Sequence, residues 1–181
     1  PLWHKLIHHQ LQADDVMELF EAFIGRMFFP LGKDNYQLAL FLKGVANTWK
    51  STIIEIIEKM FPMGSCETLA ANQEATFGLQ TAYKKRVFVC PDMPRDMESS
   101  LDQTLLQSMI SGENVPVPRK GKSKLTVKWH THLLFGSNYM PNYEDASGSV
   151  SRRLLLFLFE TAVHDRDTTM KSRILHDEIH I

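Results

Sequence analysis

Residues 40–52 have the sequence Leu40-Phe41-Leu42-Lys43-Gly44-Val45-Ala46-Asn47-Thr48-Trp49-Lys50-Ser51-Thr52. The other motifs of this chain are interpreted in relation to this segment. An apolar run leads to Gly44, and Lys50-Ser51-Thr52 then precedes a second apolar run. With glycine in place of Trp49, the segment would match the phosphate-binding loop (P-loop) pattern G-x-x-x-x-G-K-[ST]. Backbone N–H groups of such a loop, together with the positive end of the following helix, hold phosphate oxygens. The pattern predicts a nucleotide site formed by residues 44–52.

Two side chains of this loop have predicted roles. Lys50 would reach the outer phosphates of a nucleoside triphosphate, and the Ser51 hydroxyl would hold a magnesium ion. The segment therefore favours an enzyme driven by a nucleoside triphosphate.

The composition bounds the rest of the interpretation. The chain has 181 residues, enough for about one domain, and a formal charge of -1 that does not by itself indicate a nucleic-acid partner. Cys66 and Cys90 lie in or beside apolar stretches, which predicts reduced thiols and an intracellular location. No apolar run reaches the length of a membrane span, and the start at Pro1 predicts a piece of a longer protein.

Apolar periodicity predicts strands interleaved with helices, and hence an α/β fold with a mainly parallel sheet covered by helices on both faces. The predicted domains are an N-terminal helical segment (1–30), a P-loop core (31–163) and the start of a C-terminal helical region (164–181). The predicted elements are helices in 1–29, 50–61 and 99–111, strands at 36–43, 84–92, 132–138 and 154–159, and a hairpin over 115–129.

Polar residues accompany three of the buried-type strands. Asp92 and Asn138 end two of them, and Arg152-Arg153 precede the last. Each has an ordinary interpretation as a turn residue. In parallel sheets, however, ligands bind at the carboxyl ends of strands, so we expect these side chains to meet the P-loop there. Asp92 would bind the magnesium ion or orient the attacking water, and Asn138 would contact the γ-phosphate or that water.

The predicted hairpin has a basic tip formed by Arg119, Lys120, Lys122 and Lys124. Such a tip can simply be a solvated turn. It can also contact the phosphate backbone of single-stranded nucleic acid.

The motifs taken in order resemble superfamily 3 helicases, and in detail the helicase half of the poxvirus-type primase–helicases of large DNA viruses. The order is P-loop, strand plus acid, Ser-Gly-Glu with a basic hairpin, strand plus Ser-Asn, then Ser-Arg-Arg. The matching stretches are Phe41–Ile54, Val87–Asp92, Leu101–Val117, Lys128–Pro141 and Ser147–Phe159.

This resemblance implies an AAA+-like P-loop core that hydrolyses ATP with Mg²⁺. It places Lys50 and Ser51 on the P-loop lysine and hydroxyl, Asp92 on the acid of the second motif, and Asn138 on the sensor asparagine. Arg152 or Arg153 matches the arginine finger offered to a neighbouring subunit, and the basic hairpin matches the DNA-tracking loop. Many relatives carry Glu, or two acids, where this chain has Pro91-Asp92.

The resemblance also implies partners and a location. The implied assembly is a ring of six copies that moves along single-stranded DNA. A primase domain outside this chain, fused to it or associated with it, is also implied. No membrane partner is implied. The implied location is intracellular, at a viral replication site in the host cytoplasm or in the nucleus.

Trp49 replaces the second glycine of the loop and leaves several interpretations open. The first in rank is that Trp49 is a one-base variant or a sequence error at a native glycine. The second is that the protein is a subunit that has lost ATP hydrolysis but binds single-stranded DNA. The third is that the loop tolerates the indole. Trp49 as an ordinary core residue without a P-loop ranks last. A small-molecule kinase is the other enzyme class considered, but the basic hairpin and Arg152-Arg153 argue against it.

Overall fold

The computed structural model describes residues 1–69, 75–96, 101–119, 122–143, 145–165 and 167–179. The helices within these ranges are α1 (Leu2–Leu11), α2 (Asp14–Arg26), α3 (Lys50–Lys59), α4 (Ala75–Ala82), α5 (Gln103–Ile110) and α6 (Met170–Asp177). The strands are β1 (Ala39–Gly44), β2 (Cys66–Thr68), β3 (Val87–Cys90), β4 (Asn114–Arg119), β5 (Lys122–Lys128), β6 (His132–Ser137) and β7 (Leu154–Phe159). A short 3-10 helix, Ser151–Arg153, leads into β7.

Five strands form one sheet in the order β2-β3-β6-β1-β7, and all four pairings between them are parallel. Every residue of β3 and β6 is buried, as expected for strands covered on both faces. The predicted α/β fold of the P-loop NTPase type, with a mainly parallel sheet, is confirmed.

Each face of the sheet has its own apolar core, because successive side chains of a strand point to opposite faces. Leu40 and Leu42 of β1 face a cluster that includes residues of α1, α2, α3 and α6. Phe41, between them, faces a second cluster that includes residues of α4, α5 and the β4–β5 hairpin. The prediction of helices on both faces is therefore confirmed.

The N-terminal helices pack on the same core as the sheet and bring α1 close to the P-loop. Leu6 and Phe20 are fully buried in the α3 face of the core. The Gln10 side chain donates to the Thr161 carbonyl at 2.7 Å and accepts from the Thr161 N–H at 3.2 Å. These bonds fix the end of α1 beside the segment that follows β7.

Several predicted boundaries differ from the structure by a few residues; the strand predicted at 84–92, for example, spans Val87–Cys90. The strand predicted at 36–43 begins at Ala39, because the Arg26 guanidinium binds the Asp34 carboxylate and the carbonyls of Tyr36 and Leu38. The helix predicted at 99–111 begins at Gln103, while residues 97–100 lie outside the described ranges.

The predicted hairpin is confirmed as an antiparallel pair, β4 with β5. Among the described residues, no helix combines the length and the apolar composition that crossing a bilayer requires.

Candidate nucleotide-binding site

The P-loop folds around the Lys50 ammonium group. Lys50 Nζ donates to the carbonyls of Gly44 at 2.7 Å and Val45 at 2.6 Å, and to the Thr48 hydroxyl at 3.2 Å. The Thr48 hydroxyl in turn donates to the Val45 carbonyl at 2.9 Å. Burial lowers the pKa of Lys50, and the Asp92 carboxylate opposes that shift. The ammonium group therefore sits at the centre of the loop, and the Asp92 carboxylate is close enough to interact with it.

Gly44 is the position where the loop leaves the sheet, and it admits no side chain. A Cβ atom there would lie 1.8 Å from the carbonyl oxygen of Phe159, which is its partner at the end of β7. The first glycine of the motif is thus required by strand packing.

Trp49 adopts the left-handed backbone conformation that the glycine of the motif would adopt without strain. Its φ of 62° and ψ of 10° are left-handed, and Asn47 is also left-handed with a φ of 64°. For a bulky side chain this costs on the order of 1–2 kcal/mol. The indole is half-buried, and its ring centroid lies 5.5 Å from the ring of His9 on α1. The loop therefore still wraps around Lys50, with the indole packed beside α1.

Asp92 lies in a turn that is tied to the end of β6. The Met93 N–H donates to the Gly136 carbonyl at 2.7 Å, and the buried Ser137 hydroxyl donates to the Met93 carbonyl at 2.8 Å. A Cβ atom on Gly136 would lie 2.7 Å from the Pro91 carbonyl oxygen, so the turn presses directly on β6. The position of Asp92 is consequently fixed by the neighbouring strand.

The P-loop, Asp92 and Asn138 line one pocket of about 360 Å³ at the carboxyl ends of β1, β3 and β6. Ala46 to Thr52 form one wall, and Pro91, Asp92, Ser137 and Asn138 form the other. The Ser51 hydroxyl and the Asp92 carboxylate are both exposed in this pocket, and they are the hard oxygen donors that Mg²⁺ prefers. The residues present therefore fit a nucleotide with its magnesium ion.

The structure does not bring Arg152 and Arg153 to this pocket, contrary to our expectation that they would meet the P-loop. They precede Leu154, which pairs with Ala39 at the start of β1, whereas the P-loop follows Gly44 at its end. Five residues of strand, about 17 Å, separate the two edges of the sheet. Arg152 and Arg153 can act only on something outside this chain's own pocket.

The two arginines differ in their contacts. Arg153 is half-buried and donates to the Ser111 hydroxyl at 3.2 Å and to the Ser149 carbonyl at 2.6 Å. The Arg152 side chain is exposed, and it makes no hydrogen bond or ion pair with the described part of the chain. Arg153 is held within its own subunit, while Arg152 is accessible to a neighbour.

Asp145 holds the segment that presents these arginines, and our sequence analysis missed it. Its carboxylate accepts the N–H groups of Val150 at 2.8 Å and Ser151 at 2.7 Å. These hydrogen bonds lower the pKa of Asp145 to about 2. The available signal was an acid five to six residues before a Ser-Arg-Arg segment, a spacing that matches no common capping pattern. Ser137 was missed in the same way, because a buried hydroxyl at a strand end looks like any turn serine.

The hairpin tip is described only in part. The half-buried Arg119 donates through Nε to the Ser123 carbonyl at 3.0 Å, across the tip, and the Lys124 side chain is exposed. Lys122 begins β5, and Lys120 lies outside the described residues. The hairpin follows α5 and precedes β6, so its base lies at the edge of the sheet opposite the pocket.

The model of a family of unknown function, DUF5906, matches residues 42–153, which is more than half of the chain. A comparison with curated proteins found no match. Among solved structures, the apo C-terminal region of NrS-1 matches with a TM-score of 0.72 and 19% identity, over 96% of this chain and 42% of that chain. A JCV helicase bound to a small molecule matches with a TM-score of 0.60 and 17% identity, over 96% of this chain and 48% of that chain. The chain thus spans less than half the length of these structures, and at such identities the likeness concerns the fold.

Proposed function

This chain belongs to the DUF5906 family and has a superfamily 3 helicase-like fold, and on that premise we propose that it is an ATP-hydrolysing motor domain of a viral replicative DNA helicase. The observation that carries the proposal is the single pocket where the P-loop, Asp92 and Asn138 meet. The proposal places the domain in a ring of six copies on single-stranded DNA, beside a primase domain outside this chain. It places the protein inside the host cell, at a replication site in the cytoplasm or in the nucleus.

Within the pocket, each polar residue has one role in this proposal. Lys50 exchanges its bonds to the Gly44 and Val45 carbonyls for the β- and γ-phosphate oxygens of ATP. Ser51 and Asp92 hold Mg²⁺, which supplies charge neutralisation on the phosphates. Asp92 also orients the attacking water, and Asn138 hydrogen-bonds to the γ-phosphate. The turn that Ser137 fixes keeps Asp92 in register with the loop.

The proposed arginine finger lies on the other edge of the sheet, as does the base of the hairpin whose tip is proposed to contact DNA. We assign the finger to Arg152, because Arg153 is bound to Ser111 and Ser149 within its own chain. The exposed Lys124 and the other tip residues contact DNA phosphates through charge, without reading base sequence. Each chain then forms one nucleotide pocket and contributes Arg152 to the pocket of a neighbouring chain.

Trp49 favours a second candidate, a ring subunit that binds single-stranded DNA without turning over ATP. Trp49 is among the residues that line the pocket, and it occupies a position where the backbone must come close to the phosphates. Losing part of the phosphate contacts would reduce the rate tenfold for each 1.4 kcal/mol or so of transition-state stabilisation that is lost.

Calorimetric titration of Mg-ATP into this chain and into Trp49→Gly tests both candidates. We expect Trp49→Gly to bind at least as tightly, because it relieves the left-handed strain and opens the loop. Lys50→Ala in the Trp49→Gly background is the control and should lose most of the binding. Clearly tighter binding by the Trp49 form would contradict this account of the loop. Binding by neither form, when the ring is assembled, would contradict the nucleotide site itself.

A further inference from the structure

A second concavity lies at the edge of the sheet opposite the nucleotide pocket. It is an open cleft of about 550 Å³, and its lining includes Lys33, Lys84, Lys85, Arg86 and His130, together with the ring of Tyr83. No acidic residue is among its described lining residues. We call it the basic cleft. Four full positive charges on one small surface stand out in a chain whose formal charge is -1.

These charges are largely uncompensated. The Arg86 side chain is exposed and makes no hydrogen bond or ion pair with the described residues, and Lys84 is exposed with its ammonium 5.4 Å from the Tyr83 ring centroid. The acid next to Lys33 is Asp34, whose carboxylate is bound by Arg26 at 2.6 and 2.9 Å. Lys85 differs, because its Nζ donates to the Gly64 carbonyl at 2.7 Å and so helps to build the cleft.

The floor of the cleft is rigid. The buried Thr131 hydroxyl lies 2.9 Å from both the Ala82 and Lys85 carbonyls, and the His132 N–H donates to the Arg86 carbonyl at 2.9 Å. Leu31 and His130 exchange two bonds, Leu31 N–H to the His130 carbonyl and His130 Nδ1 to the Leu31 carbonyl. The cations therefore project from a surface whose backbone is already fixed.

The cleft also adjoins the base of the hairpin. His130 comes two residues after β5 ends, and helix α4, which packs against β4, leads directly into Tyr83 and the cleft. A strand of nucleic acid lying along the hairpin can therefore continue into the cleft.

We infer that the basic cleft binds the phosphate backbone of the same single-stranded DNA that the hairpin contacts. An open row of lysine and arginine side chains suits successive phosphates of a strand, since each cation can neutralise one phosphate independently of base sequence. The inference rests on the proposed function, because it gives the DNA of that proposal a second point of contact.

The test compares Lys84→Glu and Arg86→Glu with Lys5→Glu, which makes the same charge change at an exposed site on α1. Fluorescence anisotropy measures binding of a labelled oligothymidine to the 181-residue chain at several NaCl concentrations. Each cleft variant should weaken binding roughly fivefold and flatten the slope of log K against log[NaCl] by about 0.7 per lost phosphate contact. Lys5→Glu should stay close to the unmodified chain. Cleft variants that behave like Lys5→Glu would overturn the inference.

Lys124→Glu on the hairpin separates this inference from the proposed function. If Lys124→Glu weakens binding and the cleft variants do not, the hairpin contact stands and the cleft is refuted. If the cleft variants alone weaken binding, the cleft stands and the hairpin contact is refuted. No binding of DNA by the unmodified chain overturns both. Thermal unfolding of each variant checks the fold, and Lys84→Gln or Arg86→Gln replaces any variant whose midpoint falls.

Discussion

At the scale of single residues, Trp49 is compatible with the backbone conformation of the P-loop but is expected to hinder phosphate binding. Trp49 takes the left-handed conformation that a glycine would take, and its ring finds a partner in His9. The Lys50 contacts of the loop are complete. The expected defect is therefore in phosphate binding, and the fold itself should be little affected.

Gly44 is expected to be intolerant of any side chain. Gly44→Ala would place Cβ 1.8 Å from the Phe159 carbonyl oxygen, so β1 and β7 must separate. We expect a loss of about 3 kcal/mol in the free energy of unfolding, the upper end of what overpacking usually costs. Urea denaturation followed by circular dichroism measures it.

Gly25→Ala is the matched control, because nothing lies within 4 Å of its Cβ position in α2. That variant should gain up to about 1 kcal/mol from helix propensity. A Gly44→Ala protein as stable as Gly25→Ala would contradict the close approach of β1 to β7.

His132 is expected to make the fold sensitive to acid. The ring is buried at the start of β6, and its neutral form can donate through Nε2 to the Phe29 carbonyl at 2.8 Å. Burial lowers its pKa to about 4, so between about pH 6.5 and 4 the unfolded chain binds the extra proton and the folded one does not. Stability should fall by about 2 kcal/mol from pH 7 to pH 5 on this account.

Urea denaturation at the two pH values, on this chain and on His132→Gln, checks that prediction. Glutamine can keep a donor near Phe29 but does not titrate. The pH dependence should therefore be smaller in His132→Gln, and equal dependence in both proteins would argue against a buried neutral histidine.

At the scale of elements, the strand ends explain how separate motifs become one site. The β6 end holds the Asp92 turn through Gly136 and Ser137, so Asp92 and Asn138 are positioned by the same strand end. On the opposite edge, Asp145 binds the 3-10 helix that carries Arg152. Hydrogen bonds to the side chains of Ser137 and Asp145 thus fix the backbone at both edges of the sheet.

Asp145→Ala should loosen the arginine segment. The carboxylate accepts two backbone N–H groups there, and losing such a cap costs about 1 kcal/mol. We expect a lower unfolding midpoint for Asp145→Ala and little change for Asp165→Ala, an exposed acid that follows β7. Differential scanning fluorimetry compares them, and equal midpoints would mean that the cap contributes nothing.

Much of this organisation could be predicted from sequence, for physical reasons that also explain the failures. The apolar runs of β1, β3 and β6 are distinctive because both faces of these strands are buried. The sequence pattern of Gly44 to Thr52 predicts the conformation of the loop directly, because the pattern corresponds to one defined loop structure. Arg152 precedes β7, so in a parallel sheet it lies at the amino edge, and the expectation that it would meet the P-loop overlooked this consequence. The basic cleft joins Lys33, Arg86 and His130, and no local pattern connects these positions.

At the scale of the whole molecule, the two candidate sites lie at opposite ends of the strands of the sheet. The nucleotide pocket lies at the carboxyl ends of β1, β3 and β6, while Arg152, the hairpin base and the basic cleft lie at the amino ends. If Arg152 is a finger, each complete site needs two chains, with Lys50 from one and Arg152 from the other.

Mixing two inactive variants tests this division, in the Trp49→Gly background. Lys50→Ala and Arg152→Ala should each lack ATP hydrolysis. A random mixture of the two should recover activity at roughly a quarter of its interfaces, those with both residues intact. Measured phosphate release that stays at zero in the mixture would contradict the shared site, and Arg153→Ala with Arg152 intact tests which arginine is required.

The distance between the two edges of the sheet has a consequence for regulation. If Arg152 is the arginine finger, any nucleotide that it meets is held by another copy of the protein, so a complete site would exist only where two copies touch. Turnover per molecule would then rise steeply with protein concentration and vanish on dilution. On that proposal the protein would be inactive while it is scarce, and it would become active only where copies gather on a shared strand of DNA.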